Sequence, residues 1–237
     1  MRSDINLHIH TTHSDGKKTV AEVVDELKKA GVKFFSITDH DVVLGNLEAA
    51  ELSMRHGLRH CNGIELSCCF DGEAGFDHTD SCHILGFDID TERMQIEQKR
   101  IKEERKLGLR QRSIPKIIEG IDIIHRCGGV AIWAHPFEII RTKDQNAKKY
   151  YEKEELSEEK VVEISKSMKT YGADGFEVYY QNYDVSRIEF LEKTADRFGV
   201  CRSCGTDYHG RLFDKIYFEK EGTVPNVSVV TRLRSFQ

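Results

Sequence analysis

Short β-rich apolar runs alternate with longer stretches of helical period along the 237 residues, and this alternation limits the fold more than any other feature. "INLHIH" (Ile5 to His10) reads as a strand. "TVAEVVDELKKAG" (Thr19 to Gly31) reads as a helix with Thr19 at its N-cap and Gly31 as its stop. Six further strands follow: "VKFFSITDH" (32–40), the run ending "RHCNGIELSC" (59–68), "SCHILGFDI" (81–89), "GVAIWAH" (129–135), "GFEVYY" (175–180) and "VCRSCGTD" (200–207). Helical patterns cover about 44–56, 92–112, 114–127, 157–171 and 185–198, while the charge-rich "KKYYEKEELSEEK" (148–160) reads as a solvated loop entering a helix. Strands alternating with helices predict a parallel sheet with right-handed crossovers. About seven such units, with no linker rich in Gly, Pro or Ser, predict one α/β domain over residues 1–237, closed as a TIM-like (β/α) barrel, with a charged helical region at 92–112.

In such a barrel the chemistry sits at the C-terminal ends of the strands, and that is where the metal-binding residue types collect. His8 and His10 are two apart on the first strand and share a face. Asp15 lies in the next loop, beside Gly16. His40 ends the second strand in "ITDHD", Glu65 closes the third in "GIELS", His83 belongs to the fourth in "CHILG", and His135 leaves the fifth before Pro136. Asp207 and His209 follow the seventh in "GTDYHG". Six imidazoles and three carboxylates at one rim are costly to bury without partners, and bound cations satisfy them together. No thiol joins the set, so Zn²⁺, Mn²⁺ and Fe²⁺ all suit it. Nine ligands exceed the needs of one tetrahedral ion, so two or three divalent ions are expected, with a carboxylate bridging a pair.

A formal charge of −5 argues against an extended nucleic-acid surface. The N-terminus has no signal-peptide pattern and no run approaches the ~18 apolar residues of a membrane helix, so a soluble, cytoplasmic protein is expected. Seven cysteines without framework spacing fit reduced, buried thiols. The C-x-x-C of Cys201 and Cys204 falls on a strand, where positions three apart face opposite ways, so neither redox nor zinc chemistry is expected there.

Read in order, "HIHTTHSDG", "ITDHD", "GIELS", "AHP" and "GTDYHG" resemble the motifs of the PHP (polymerase and histidinol phosphatase) family of metal-dependent phosphoesterases, over nearly the whole chain. The resemblance implies a distorted (β/α)7 barrel with a trinuclear site and a helical insertion at about 92–112. By position, His8, His10, Glu65 and Asp207 would bind one ion. Glu65 would bridge to a second held by His83 and His135, and Asp15, His40 and His209 would bind the third. A hydroxide shared by the first two ions is the expected nucleophile, since paired cations lower the pKa of bound water and neutralise phosphoryl charge. No general acid is assigned.

The expected substrate is a small phosphorylated molecule, a nucleotide or short oligonucleotide. Histidinol phosphate is an alternative, and a non-catalytic, metal-binding regulatory module is a second. "KRIKEERKLGLRQR" (99–112) holds seven basic residues against two acidic ones. Arg105, Arg110 or Arg112 could grip a substrate phosphate from it, or the segment is a solvated helix. His13 is a further candidate for a phosphate or leaving-group contact, and Tyr179 or Tyr180 for stacking on a base.

Overall fold

A computed structural model describes residues 2–109, 114–145 and 148–236, the side chains of 143–145 and 148–150 excepted. In chain order the elements are β1 (Ile5–Asn6), α1 (Val20–Ala30), β2 (Phe34–Ile37), α2 (Gly45–His56), β3 (Arg59–Cys69), β4 (Asp80–Phe87), α3 (Thr91–Lys106) and α4 (Ile117–Arg126). Then follow β5 (Val130–Trp133), β6 (Glu138–Gln145), β7 (Lys148–Glu155), α5 (Glu158–Thr170), β8 (Gly175–Tyr180), α6 (Val185–Phe198) and β9 (Cys201–Gly205).

The main sheet runs β1-β2-β3-β4-β5-β8-β9. Its two edges meet where Leu7 N–H donates to Cys204 O and where Ile9 bridges Tyr208 in parallel, which nearly closes a barrel. Helices cover its outside with their apolar stripes. Gly120 lets α4 lie tight on β3, because a Cβ there would stand 2.3 Å from Cys68 Sγ. Local signals act as expected on α1: Thr19 and Glu22 form a capping box, and Gly31 ends the helix in the left-handed region at φ 75°. All seven cysteines are buried and unpaired. Among the described residues no helix is long and apolar enough to cross a membrane.

Two expectations are corrected. The sheet is mixed, since β4 runs antiparallel to both β3 and β5. Only a three-residue 3-10 turn (Glu73–Gly75) lies between β3 and β4, so the chain returns directly and forms a hairpin; parallel pairing would have needed a crossover. His83 therefore sits near the entrance of its strand, and that entrance shares a rim with the exits of the parallel strands. The second correction concerns 148–160. Its first half is β7, paired antiparallel with β6 from Glu138↔Glu155 to Gln145↔Lys148, and β6 in turn pairs with the start of β4. Along this hairpin the period of two sets Glu138, Ile140, Tyr151 and Lys153 on one face.

Candidate metal centre

Glu65 is the hub of the rim. It is fully buried, and its two carboxylate oxygens stand 2.9 Å from His83 Nδ1, 3.0 Å from His10 Nε2, 3.1 Å from His40 Nδ1, 3.1 Å from His135 Nε2 and 3.2 Å from His8 Nε2. Asp207 Oδ1 lies 3.1 Å from His10 Nε2 and 3.3 Å from His8 Nε2, and Asp15 Oδ1 is 3.1 Å from His209 Nε2. The nine residues picked from sequence thus meet in one cluster. Three overlapping groups within it offer ligand atoms lying within 4.8 Å of one another: His8, His10, Glu65 and Asp207; His40, Glu65 and His83; and His10, Asp15, His40 and His209.

The donor set fits divalent cations on an observation of its own. Six side-chain atoms here are buried without a hydrogen-bond partner: His8 Nε2, both ring nitrogens of His10, His40 Nδ1, Glu65 Oε2 and His135 Nδ1. Native interiors rarely leave so many polar atoms unsatisfied in one place, and cations held among them would answer those that face the cluster. The electrostatics agree. Burial alone would lower His10, yet Asp207 and Glu65 beside it raise its pKa to about 9. Burial would raise Glu65, yet the surrounding imidazoles hold it well below the usual carboxylate range. His209 draws Asp15 down to about 2, while burial pushes His40 down to about 4 and keeps it neutral. Such carboxylates attract positive charge, and a dication can take the place of the protons.

Reading the sequence alone misses the residues that hold this cluster in shape. Glu177, fully buried on β8, accepts from His8 Nδ1 at 2.9 Å through one oxygen and from the His135 backbone N–H at 2.9 Å through the other. It thereby sets the His8 tautomer, leaving Nε2 for the cluster. It also secures a strained backbone, because His135 has φ 29°, and Asp41 and Asp207 at the same rim have φ 52°. Each such non-glycine conformation costs about 1–3 kcal/mol and persists only where its surroundings enforce it. Gly205 makes room for this arrangement, since a Cβ there would lie 2.3 Å from His8 Cβ and 2.4 Å from Glu177 Oε1. The readable signal was one carboxylate inside an otherwise apolar buried strand, "GFEVYY". Asp39, also buried, ties the first loop by accepting from Thr11 N–H, Thr11 hydroxyl and Ser14 hydroxyl at 2.7, 2.7 and 2.6 Å. Glu177→Gln is expected to weaken metal binding about 10- to 100-fold while the protein stays folded. Competition titration against a chromophoric chelator measures it, and unchanged affinity would remove Glu177 from this role.

The cluster opens into a cavity of about 280 Å³, lined also by Ile140, Tyr151 and Lys153 from the hairpin and by Arg211. A neighbouring cavity of about 220 Å³ shares Lys153, Asp207, His209 and Arg211 with it. Not all the residues that the sequence offered for substrate contact reach these cavities. Arg105 on α3 and His13 after β1 are exposed and line neither cavity, while Arg110 and Arg112 lie outside the described residues. Tyr179 and Tyr180 are fully buried, yet Tyr180 lines the smaller cavity, and its hydroxyl donates to Asp207 Oδ2 at 3.1 Å.

Over 85 residues the chain is 36% identical to the phosphoribosyl 1,2-cyclic phosphate 1,2-diphosphodiesterase of Eggerthella lenta, a match covering 36% of this chain and 30% of that protein. Over 88 residues it is 36% identical to the 3',5'-nucleoside bisphosphate phosphatase of Chromobacterium violaceum, covering 37% and 28%. These matches span under a third of the relatives' lengths. An amidohydrolase from Chromobacterium violaceum, solved with bound sulfate and no metal, shares the fold with a TM-score of 0.77 at 20% identity, over 99% of this chain and 97% of that one. The PHP domain model matches residues 6–221, and the chain belongs to the PHP domain family.

Proposed function

We propose that this protein is a metal-dependent phosphoesterase, built as one PHP-type barrel, that hydrolyses a small phosphorylated substrate, a nucleotide or short oligonucleotide. The observation that carries the reading is the set of six buried, unpartnered donor atoms among nine converging imidazoles and carboxylates. His8, His10, Asp15, His40, Glu65, His83, His135, Asp207 and His209 are its proposed ligands for two or three divalent ions. Ions held there would supply a nucleophile from water near neutral pH and offset charge on the phosphoryl oxygens. The chain's own residues do the rest. Glu65 fixes five imidazoles about one point, Glu177 orients His8, and Lys153 and Arg211 make the cavity attractive to an anion. The name of the Chromobacterium nucleoside bisphosphate phosphatase supports a nucleotide over other phosphate esters. Seven unpaired thiols support a reducing, cytoplasmic setting.

Metal analysis by mass spectrometry, paired with a phosphate-release screen on the same preparation, tests this. Two or three equivalents of metal are expected, with turnover of a generic aryl phosphate and of nucleoside bisphosphates or short RNA. Turnover of histidinol phosphate alone would transfer the assignment to histidinol phosphatase. A metal-replete protein that hydrolyses none of these would be a non-catalytic metal-binding module.

A further inference from the structure

We propose that Lys153 is a substrate-contacting residue, its ammonium binding a non-bridging oxygen of the phosphoryl group held at the cluster while Glu138 fixes it in place. The inference rests on the reading of the site as one that receives a phosphoryl anion, and it adds a residue that no motif of the sequence marks.

Four residues line both cavities. Asp207 and His209 belong to the cluster, so Lys153 and Arg211 are the basic side chains, among the described residues, that face both spaces. Arg211 is already drawn toward the cluster, with its guanidinium 3.8 Å from Asp15 Oδ2. Lys153 reaches the same space from β7. Hairpin register puts its side chain on the face that also carries Ile140 and Tyr151, and both of these line the larger cavity. Its Nζ donates to Glu138 Oε2 at 2.9 Å, diagonally across the strand pair. That bond engages one of three ammonium donors and leaves two for a ligand. Glu138 is largely buried where Lys153 is exposed, with side-chain exposures of 21% and 61%, so the carboxylate anchors and the ammonium projects. Burial works against the Lys153 charge, but Glu138, Asp207 and Glu65 outweigh it and keep the amine protonated.

The placement matches a chemical need. The proposed ligands would compensate bound cations with three carboxylates, and an incoming phosphate ester brings further negative charge. A fixed ammonium lining the same cavity as the ligand set would stabilise charge that builds on the phosphoryl oxygens during transfer. A cross-strand Lys–Glu pair serving only the hairpin would leave anion affinity alone, because exposed pairs contribute little to stability.

The test uses the full chain loaded with Mn²⁺ and inorganic phosphate as the probe, with calorimetric phosphate affinity, metal content and melting temperature measured for wild type, Lys153→Ala, Lys153→Arg and Glu138→Gln. Lys153→Ala is expected to weaken phosphate binding about 10- to 100-fold, the scale of one hydrogen bond to a charged group. Metal content should be unchanged, Lys153→Arg should recover part of the affinity, and Glu138→Gln should weaken it less than Lys153→Ala does. On an aryl phosphate, kcat/KM should fall about 10²-fold in Lys153→Ala. Unchanged phosphate affinity in a metal-replete Lys153→Ala protein overturns the proposal, as does loss of metal in both Lys153 variants. Wild-type protein that binds phosphate but hydrolyses no ester would overturn the phosphoesterase reading and leave Lys153 to be decided by phosphate affinity; wild type that binds no phosphate would overturn both.

Discussion

Glu65→Gln is expected to abolish turnover, by on the order of 10³-fold or more, and to lower metal content, while the barrel stays folded. The substitution is nearly isosteric, so no cavity opens in the rim. What changes is charge and valence. Glu65 lies within 3.2 Å of ring nitrogens from His8, His10, His40, His83 and His135, and among the described residues no other carboxylate touches so many. A carboxylate can share its oxygens between two cations, whereas an amide has one acceptor and turns an N–H₂ toward the other. That N–H₂ has no lone pair to offer a cation, so at least one position loses its ion. Metal content by mass spectrometry, circular dichroism and aryl phosphate hydrolysis together decide the matter. A folded Glu65→Gln protein with full metal and near-normal rate would show that the cluster is not the reaction centre.

How far these conclusions could be read from the chain depends on which physical signal each residue carries. The nine cluster residues were legible because imidazoles and carboxylates at strand ends have few other reasons to be there, and strand period alone puts His8 beside His10. The antiparallel β4 was not legible, since "SCHILGFDI" is apolar along its length and carries no mark of direction. Its position at the rim survived the error, because an antiparallel strand brings its entrance to the edge where parallel strands bring their exits. The β6–β7 hairpin was hidden by charge. Tyr150, Tyr151 and the β-branched residues of β6 favour strand, but Lys and Glu occupy both faces of β7, and the alternation that would announce a half-buried strand is lost. The same masking concealed Lys153, while the denser basic run of 99–112 drew attention to α3, whose Arg105 is exposed and away from both cavities. Glu177 shows the complementary limit: a sequence displays a buried carboxylate in a strand but not the strained backbone of His135 that it supports.

Stripping the metal should lower the melting temperature, and the loss should grow as pH rises from 6.5 to 9. The sign follows from the protons that replace the ions. In the metal-free protein the pKa of His10 is about 9 against 6.5 when unfolded, so its contribution is complete below pH 6.5 and is lost as pH climbs through 9. One proton held over that interval is worth roughly 3 kcal/mol, or about 10 °C in a chain of this size. His8 shifts the same way: burial opposes its charge, but Glu177, Glu65 and Asp207 prevail and raise it. On the acid side the trend reverses. Burial holds His40 near 4 and His60 near 3, so the unfolded chain takes up those protons first and stability falls below pH 6.5. The metal-free protein is therefore most stable near pH 6.5. Bound cations need the imidazoles deprotonated, so metal affinity strengthens through the very range in which the metal-free form weakens. A single ion present at a thousand times its Kd adds about 4 kcal/mol. Buried thiols such as Cys61, pushed up to about 12 by burial, lower stability at high pH in both forms and cancel from the difference. Scanning calorimetry of chelated and Mn²⁺-loaded protein from pH 6 to 9 gives the two curves, and calorimetric titration in buffers of different ionisation enthalpy counts the protons released on metal binding. Curves that stay parallel, with no protons released at pH 7, would mean that the carboxylates and imidazoles of this rim do not exchange protons for cations, and the assignment of the cluster as a metal centre would fall with that result.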